Sequence, residues 1–134
     1  MPDPRPITPG LFRDDGAGPR LLTGRCPECP RRHFPAAPLC PYCGADGCVE
    51  TPAGPRGRLC LYTAVLTAPP GYRGPVPYGF GIVEVDDGLR VITRLTEPRL
   101  ERLRPGLPVR LVLEPLFTDE GRAVVSYAFH PEDG

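Results

Sequence analysis

The segment Cys26-Pro27-Glu28-Cys29, followed after ten residues by Cys40-Pro41-Tyr42-Cys43-Gly44, decides how this chain is read. In a C-x-x-C turn two thiolates point at one cation, and a second such turn completes the tetrahedral four-sulfur set that zinc prefers. Four protein thiolates leave no open position for water or substrate, so the metal is expected to be a structural staple and not a catalyst. Such binding contributes about 10–16 kcal/mol, more than roughly twenty residues with few core side chains gain from burial. Iron in the same four-sulfur set is the alternative metal. Disulfides are the remaining alternative, but nothing in the chain points to an oxidising compartment.

Outward from the knuckles, residues 1–19 carry only Ile7, Leu11 and Phe12 as sizeable apolar groups and read as an arm, ordered where it docks. Leu21 and Leu22 lead into the first knuckle, and Phe34, Pro35 and Leu39 form a small apolar patch between the two. From Gly57 onward the apolar residues alternate with period two, the mark of half-buried strands. Leu59, Leu61, Thr63 and Val65 are expected to share one face of a first strand, with Arg58, Cys60 and Tyr62 on the other. Phe80–Val85 reads as a second strand, and Asp86-Asp87-Gly88 as a tight turn. Leu89–Leu95 returns with Val91, Thr93 and Leu95 on one side. A short turn or a single helical turn is expected at Pro98–Leu103, then a fourth strand through Val109, Leu111 and Leu113. A hairpin at Thr118–Gly121 leads to a fifth with Ala123, Val125, Tyr127 and Phe129. Five such strands fit a small Greek-key barrel of the OB type, with an open meander as the alternative. The expected class is mainly β: an arm (1–19), a rubredoxin-like zinc ribbon (20–55) and a five-stranded OB-fold barrel (56–134).

The 21 prolines and 16 glycines of the 134 residues fall mainly between the apolar segments, where they mark turns and strand ends. Formal charge is zero, so no global basic field recruits nucleic acid. Locally, residues 89–110 hold six arginines against Glu97 and Glu101, whereas residues 111–134 hold Arg122 against five acids. Either a dipolar surface for a charged partner or ordinary solvated strand faces explains this. The first residues are polar and proline-broken, and no apolar run approaches a membrane span. A cytoplasmic protein is expected.

The order of these landmarks resembles a known family. Leu22-Thr23-Gly24-Arg25 before the first knuckle, Phe34-Pro35, the second knuckle and Gly57-Arg58 at a strand start are similar to the DUF35 proteins, which join a rubredoxin-like zinc ribbon to an OB fold. Pro77-Tyr78, Val83-Glu84-Val85, Pro105-Gly106-Leu107-Pro108-Val109 and Phe129-His130-Pro131 agree, so the resemblance spans about residues 8–131. It implies a non-catalytic subunit accompanying a thiolase-like, ketosynthase-like or hydroxymethylglutaryl-CoA-synthase-like enzyme, with the OB domain close to the acyl-CoA passage. By matching position, Cys26, Cys29, Cys40 and Cys43 become the zinc ligands. Pro30 departs from the glycine that commonly follows a knuckle's second cysteine, and a less regular first turn is expected from its missing N–H.

The remaining reactive residues form no catalytic signature. Cys48 is read as a loop thiol or a substitute ligand, Cys60 as a small core residue of a strand in preference to a nucleophile, and His33 as a neighbour of the metal site or a surface residue in preference to a ligand. The loop Ala68–Pro77 joins the first two barrel strands, and Tyr72 and Arg73 at its tip are either partner anchors or a barrel cap. Expected partner contacts are Phe34, Leu39, Tyr72, Arg73 and an arginine-rich face of Arg90, Arg94 and Arg102. A nucleic-acid-binding ribbon and barrel is the rival reading, weakened by zero net charge and 7% aromatic residues.

Overall fold

A computed structural model describes residues 3–14, 16–86 and 88–132. The chain is built from strands, with one 3-10 turn at Leu100–Arg102 among the described residues. Two short strands open it, β1 (Arg5–Pro6) and β2 (Phe12–Asp14), followed by β3 (Pro19–Arg25), β4 (Arg32–His33) and β5 (Val49–Ala53). The barrel strands are β6 (Arg56–Val65), β7 (Tyr78–Val85), β8 (Leu89–Leu95), β9 (Pro108–Asp119) and β10 (Arg122–Pro131).

Strands β6 to β10 close on themselves. β6 pairs with both β7 and β9, β7 with β8, β9 with β10, and β10 runs parallel to β8 with Phe129 opposite Leu95. This is the five-stranded OB barrel, and the 3-10 turn sits between its third and fourth strands. Inside it, Leu59, Val83, Val85, Val91, Leu95, Val109, Leu111 and Phe129 are at most 2% exposed. Residues from the expected arm supply β1, parallel to β10 through Arg5 opposite Val124, and β2, which joins the ribbon sheet through Phe12 opposite Leu21.

Two phases differ from simple alternation. Leu61 is 64% exposed, so it does not share a face with the buried Leu59 as the sequence pattern suggests. The register of β6 on β7 shifts between Leu59 and Leu61. At that point the N–H of Leu59 bonds to the Leu107 carbonyl, and its own carbonyl accepts from Gly106. The extra residue of this bulge reverses the parity of everything after it, so Tyr62 packs on the core while Leu61 and Thr63 face out. Gly81 makes the bulge possible, because a Cβ there would collide with the Leu61 carbonyl. A second shift, between Val124 and Val125, lies in β10, a strand covered on both sides: Val124, Ser126 and Ala128 are buried as well as Phe129.

The ribbon is not a separate body on a tether. Leu21 and Ala53, cross-strand partners on β3 and β5, belong to the same buried cluster as the barrel residues, and Phe12, Phe34 and Tyr127 pack against its edge. The Phe34 ring stands edge-on to Tyr127 at 5.6 Å, and Phe12 tilts over it at 6.3 Å. The knuckles are thereby held at a defined position on the barrel.

Candidate functional site

The end of β3 delivers Cys26, and the pairing of β3 with β4 determines how. Gly24 is register partner of His33, and the imidazole lies where a Gly24 side chain would stand. His33 is 4% exposed, and its Nε2 sits 3.3 Å from the Ala37 nitrogen and 3.1 Å from the Ala37 carbonyl oxygen. It therefore ties the inter-knuckle segment to the sheet and does not enter the sulfur cluster. The Thr-Gly-Arg-Cys pattern acquires a local cause: glycine is needed to admit the histidine.

The four sulfurs converge. Cys26 and Cys43 Sγ are 3.5 Å apart, Cys29 and Cys40 Sγ 3.7 Å, and all four lie within 4.8 Å of one another. A regular tetrahedron with metal–sulfur bonds of about 2.3 Å has edges of about 3.8 Å, so the set has the dimensions of a tetrahedral thiolate cage. Cys26 Sγ accepts the N–H groups of Glu28 and Cys29, each at 3.3 Å. The second knuckle repeats this with Tyr42 and Cys43 donating to Cys40. Two residues past each knuckle, Arg31 donates to Cys29 and Ala45 to Cys43. Donors of this kind stabilise negative sulfur and orient the ligand.

Pro30 leaves a measurable trace. Its counterpart Gly44 adopts φ +80° and donates to the Cys40 carbonyl at 2.9 Å, a bond proline cannot make. The turn-closing bond from Cys26 N–H to the Arg31 carbonyl is 3.4 Å, against 2.9 Å for Cys40 N–H to Ala45. The first turn is the looser of the two. Across them, the Arg31 guanidinium stacks over the Tyr42 ring at 4.9 Å. Sequence reading did not find this contact, although both residues occupy repeated knuckle positions.

Without a cation the sulfurs cannot all ionise together. The Cys29 N–H, aided by Glu28 and opposed by burial, holds the Cys26 thiol down to about 6. The Ala45 N–H pulls Cys43 down, but the Cys26 sulfur and burial outweigh it and push Cys43 up to about 12. Ionising one sulfur suppresses its neighbour, and a divalent cation removes that conflict. Cys48 lies outside the four-sulfur group, its thiol raised by burial and by charge on Cys26 and Cys40. Cys60 sits at the β6 bulge, half-buried, with Sγ 3.8 Å from the Arg58 carbonyl. The donor set accordingly fits a closed metal site.

The residues expected to meet a partner fall in different places. Leu39 is exposed at 58% beside the knuckles. Phe34 is spent on Tyr127. Tyr72 folds back instead of projecting: its hydroxyl donates to the Pro75 carbonyl at 2.8 Å, and its ring lies 4.9 Å from Tyr78. Arg73 clamps the same loop to the β9–β10 hairpin, pairing with Asp119 at 3.2 Å, donating to the Thr118 carbonyl and stacking on Phe117 at 4.3 Å. The expected arginine face is split. Arg94 is largely covered and pairs with Glu114, Arg90 is exposed and pairs with Glu84 near the knuckles, and Arg102 lines a groove with Arg99 and Arg104. Arg90 and Arg94 sit at opposite ends of β8, and Arg102 follows on the 3-10 turn.

Comparisons with known proteins bear on this arrangement. The rubredoxin-like zinc ribbon domain of ChsH2 matches residues 13–47 and the C-terminal OB-fold domain of ChsH2 matches residues 50–114. The chain is similar to a DUF35 domain-containing scaffold protein of Pyrococcus furiosus, 30% identical over 84% of this chain and 83% of that protein. It is similar to the benzoylsuccinyl-CoA thiolase subunit BbsA of Thauera aromatica, 30% identical over 60% of this chain and 55% of that one. A solved structure described as an Ltp2–ChsH2(DUF35) aldolase superposes with a TM-score of 0.61 at 28% identity, covering 84% of each chain.

Proposed function

The chain belongs to the DUF35 family, and from that premise we propose that it is a non-catalytic accessory subunit of a thiolase-like enzyme complex acting on acyl-CoA, stapled by one structural zinc. The observation that carries this reading is the 30% identity to a scaffold protein over 84% of the chain, with names of further relatives pointing to association with thiolase-like enzymes. The chemistry agrees with it. Cys26, Cys29, Cys40 and Cys43 would hold zinc in a closed four-sulfur shell, which supplies rigidity and no site for substrate. None of the six cysteines is joined in a disulfide, and a cytoplasmic location is part of this proposal. No helix among the described residues is long and apolar enough to cross a membrane. The division into arm (1–19), ribbon (20–55) and barrel (56–134) is part of this proposal.

For the partner contact, the outer face of β6, β7 and β8 is the favoured surface. Leu61, Ile82 and Ile92 stand in one cross-strand row, and Leu61 and Ile92 are 64% and 63% exposed. A solvent-facing row on an antiparallel sheet is ordinarily polar, so three aligned aliphatic residues fit a face covered in a complex. The occupant is the thiolase-like subunit, with Leu39, Arg90 and Arg102 as further exposed contacts. Phe34, Tyr72, Arg73 and Arg94 act by holding the ribbon and the 68–77 loop in shape.

Affinity purification of the tagged chain from its native cells tests this. A thiolase-like enzyme should co-purify, and the double substitution Leu61→Glu, Ile92→Glu should abolish recovery while leaving the melting temperature of the isolated chain within a few degrees. Undiminished co-purification by the double variant refutes the docking face. Absence of any thiolase-like enzyme refutes the accessory-subunit reading.

A further inference from the structure

Where β6, β9 and β10 run side by side, their registers align three basic side chains on the outer face. Arg56 stands directly opposite Arg110, and Arg110 in turn directly opposite His130. Directly opposed residues on one face of an antiparallel pair hold their Cβ atoms about 4.5–5.5 Å apart, and like charges placed so are destabilising. All three residues are exposed. None forms an ion pair with a carboxylate among the described residues. The adjacent row shows the ordinary arrangement: Arg90, Glu84 and Arg58 are likewise aligned across β8, β7 and β6 but alternate in sign, with Arg90 and Glu84 3.6 Å apart.

The uncompensated row lines an open groove of about 1000 Å³. Two of the groove's carboxylates are engaged, Glu84 by Arg90 and Asp86 by Arg32 at 3.7 Å; Glu132 is the third. The Thr96 hydroxyl lies 2.6 Å from His130 Nδ1, which holds the ring and leaves Nε2 for a ligand. The outer strands of the row are about 10 Å apart, twice the ordinary strand spacing. Two guanidinium groups and an imidazole spread over that span offer donors to two phosphoryl groups at once, more than the two oxygens of a single carboxylate can use. Arginine forks match phosphate oxygens in pairs, so two of them side by side form a natural phosphoryl cradle.

We propose that the Arg56–Arg110–His130 row is a binding site for the diphosphate portion of a small phosphorylated ligand. The anion offsets the like-charge opposition that the fold otherwise leaves in place. The site lies wholly within this chain and stands or falls independently of the partner assignment. Coenzyme A and nucleoside triphosphates share the diphosphate chemistry, and they are separated by titration.

Calorimetric titration of the intact purified chain with sodium pyrophosphate, coenzyme A and ATP at low ionic strength is the test. Pyrophosphate should bind. Arg110→Gln should weaken it roughly tenfold or more, since one charge-assisted contact of this kind carries that factor. Arg122→Gln, at the opposite end of β10 from His130 and outside the groove, should leave it unchanged. Unliganded Arg110→Gln should melt at or above the wild-type temperature, because it removes a like-charge opposition. Coenzyme A binding more tightly than ATP assigns the ligand to coenzyme A, and equal affinities assign recognition to the diphosphate alone. The proposal is overturned if pyrophosphate fails to bind at millimolar concentration, if Arg110→Gln leaves its affinity unchanged, or if that variant melts lower. Tighter binding of a single-stranded oligonucleotide than of pyrophosphate, falling steeply with salt, would likewise overturn it in favour of a nucleic-acid surface.

Discussion

Gly24→Ala tests the link between sheet packing and the metal centre. A Cβ at Gly24 would stand within 3.0 Å of three ring atoms of His33. The ring cannot swing into solvent cheaply, since it is 4% exposed and bound to Ala37 through Nε2. Overpacking of this kind costs about 1–3 kcal/mol, and replacing a strand glycine returns roughly 0.5–1 kcal/mol of backbone entropy. The net expectation is a loss of about 1–2 kcal/mol, a melting temperature lowered by roughly 3–10 °C for a chain of this size. Because Gly24 lies on β3 two residues before Cys26, which directly follows the strand, displacement of β3 should also speed zinc release to a chromogenic chelator. The His33→Ala background makes the test specific. With the ring removed, Gly24→Ala should cost much less than in the wild type, so the two substitutions couple. A Gly24→Ala protein with unchanged melting temperature and zinc release, or a double variant whose losses simply add, would refute the reasoning.

Cys43→Ser, at the exposed member of the cluster, should lower zinc content by elemental analysis from one per chain toward zero and loosen the ribbon. Protection of Leu21 and Ala53 amides in hydrogen exchange should fall with it, since those residues join the ribbon to the common core; unchanged zinc content sinks the ligand assignment. Acid stability should depend on Asp119. Hydrogen bonds from Arg5 and then Arg73 hold its carboxyl below the ordinary aspartate value, so the folded state takes up its proton later than the unfolded chain. The resulting stabilisation is fully present above the ordinary aspartate range and is lost as pH falls through the depressed folded value. Asp119→Asn should therefore show a shallower fall of melting temperature between pH 5 and 2 (roughly the window around the free aspartate value) than the wild type. An unchanged acid slope would count against the clamp.

The knuckle pair, the five strands, the turn at Leu100–Arg102 and the inward set of Val91, Thr93 and Leu95 were legible because each rests on a short-range rule. Ligand spacing, alternation and turn chemistry act within a few residues of one another. The phase of β6 was not, since the bulge after Leu59 is caused by backbone groups of Gly106 and Leu107, more than forty residues away. Tyr72 and Arg73 read either as partner anchors, because their types are enriched in interfaces, or as a barrel cap. In the fold they serve an internal clamp, as the β9–β10 hairpin supplies Asp119, Thr118 and Phe117 at the right height.

By itself, the order of residues determined that four thiolates would gather on two similar turns and that five half-buried strands would follow, leaving the choice between an OB barrel and an open meander to the fold. Those outcomes depend on local geometry and on burial of one strand face. Only the tertiary structure decided which charges became neighbours. Arg94 found Glu114, Arg73 found Asp119, and Arg56, Arg110 and His130 were left in one row. Cross-strand register sets those distances, and register is a property of the closed sheet, fixed by bulges and chain reversals that no single segment contains.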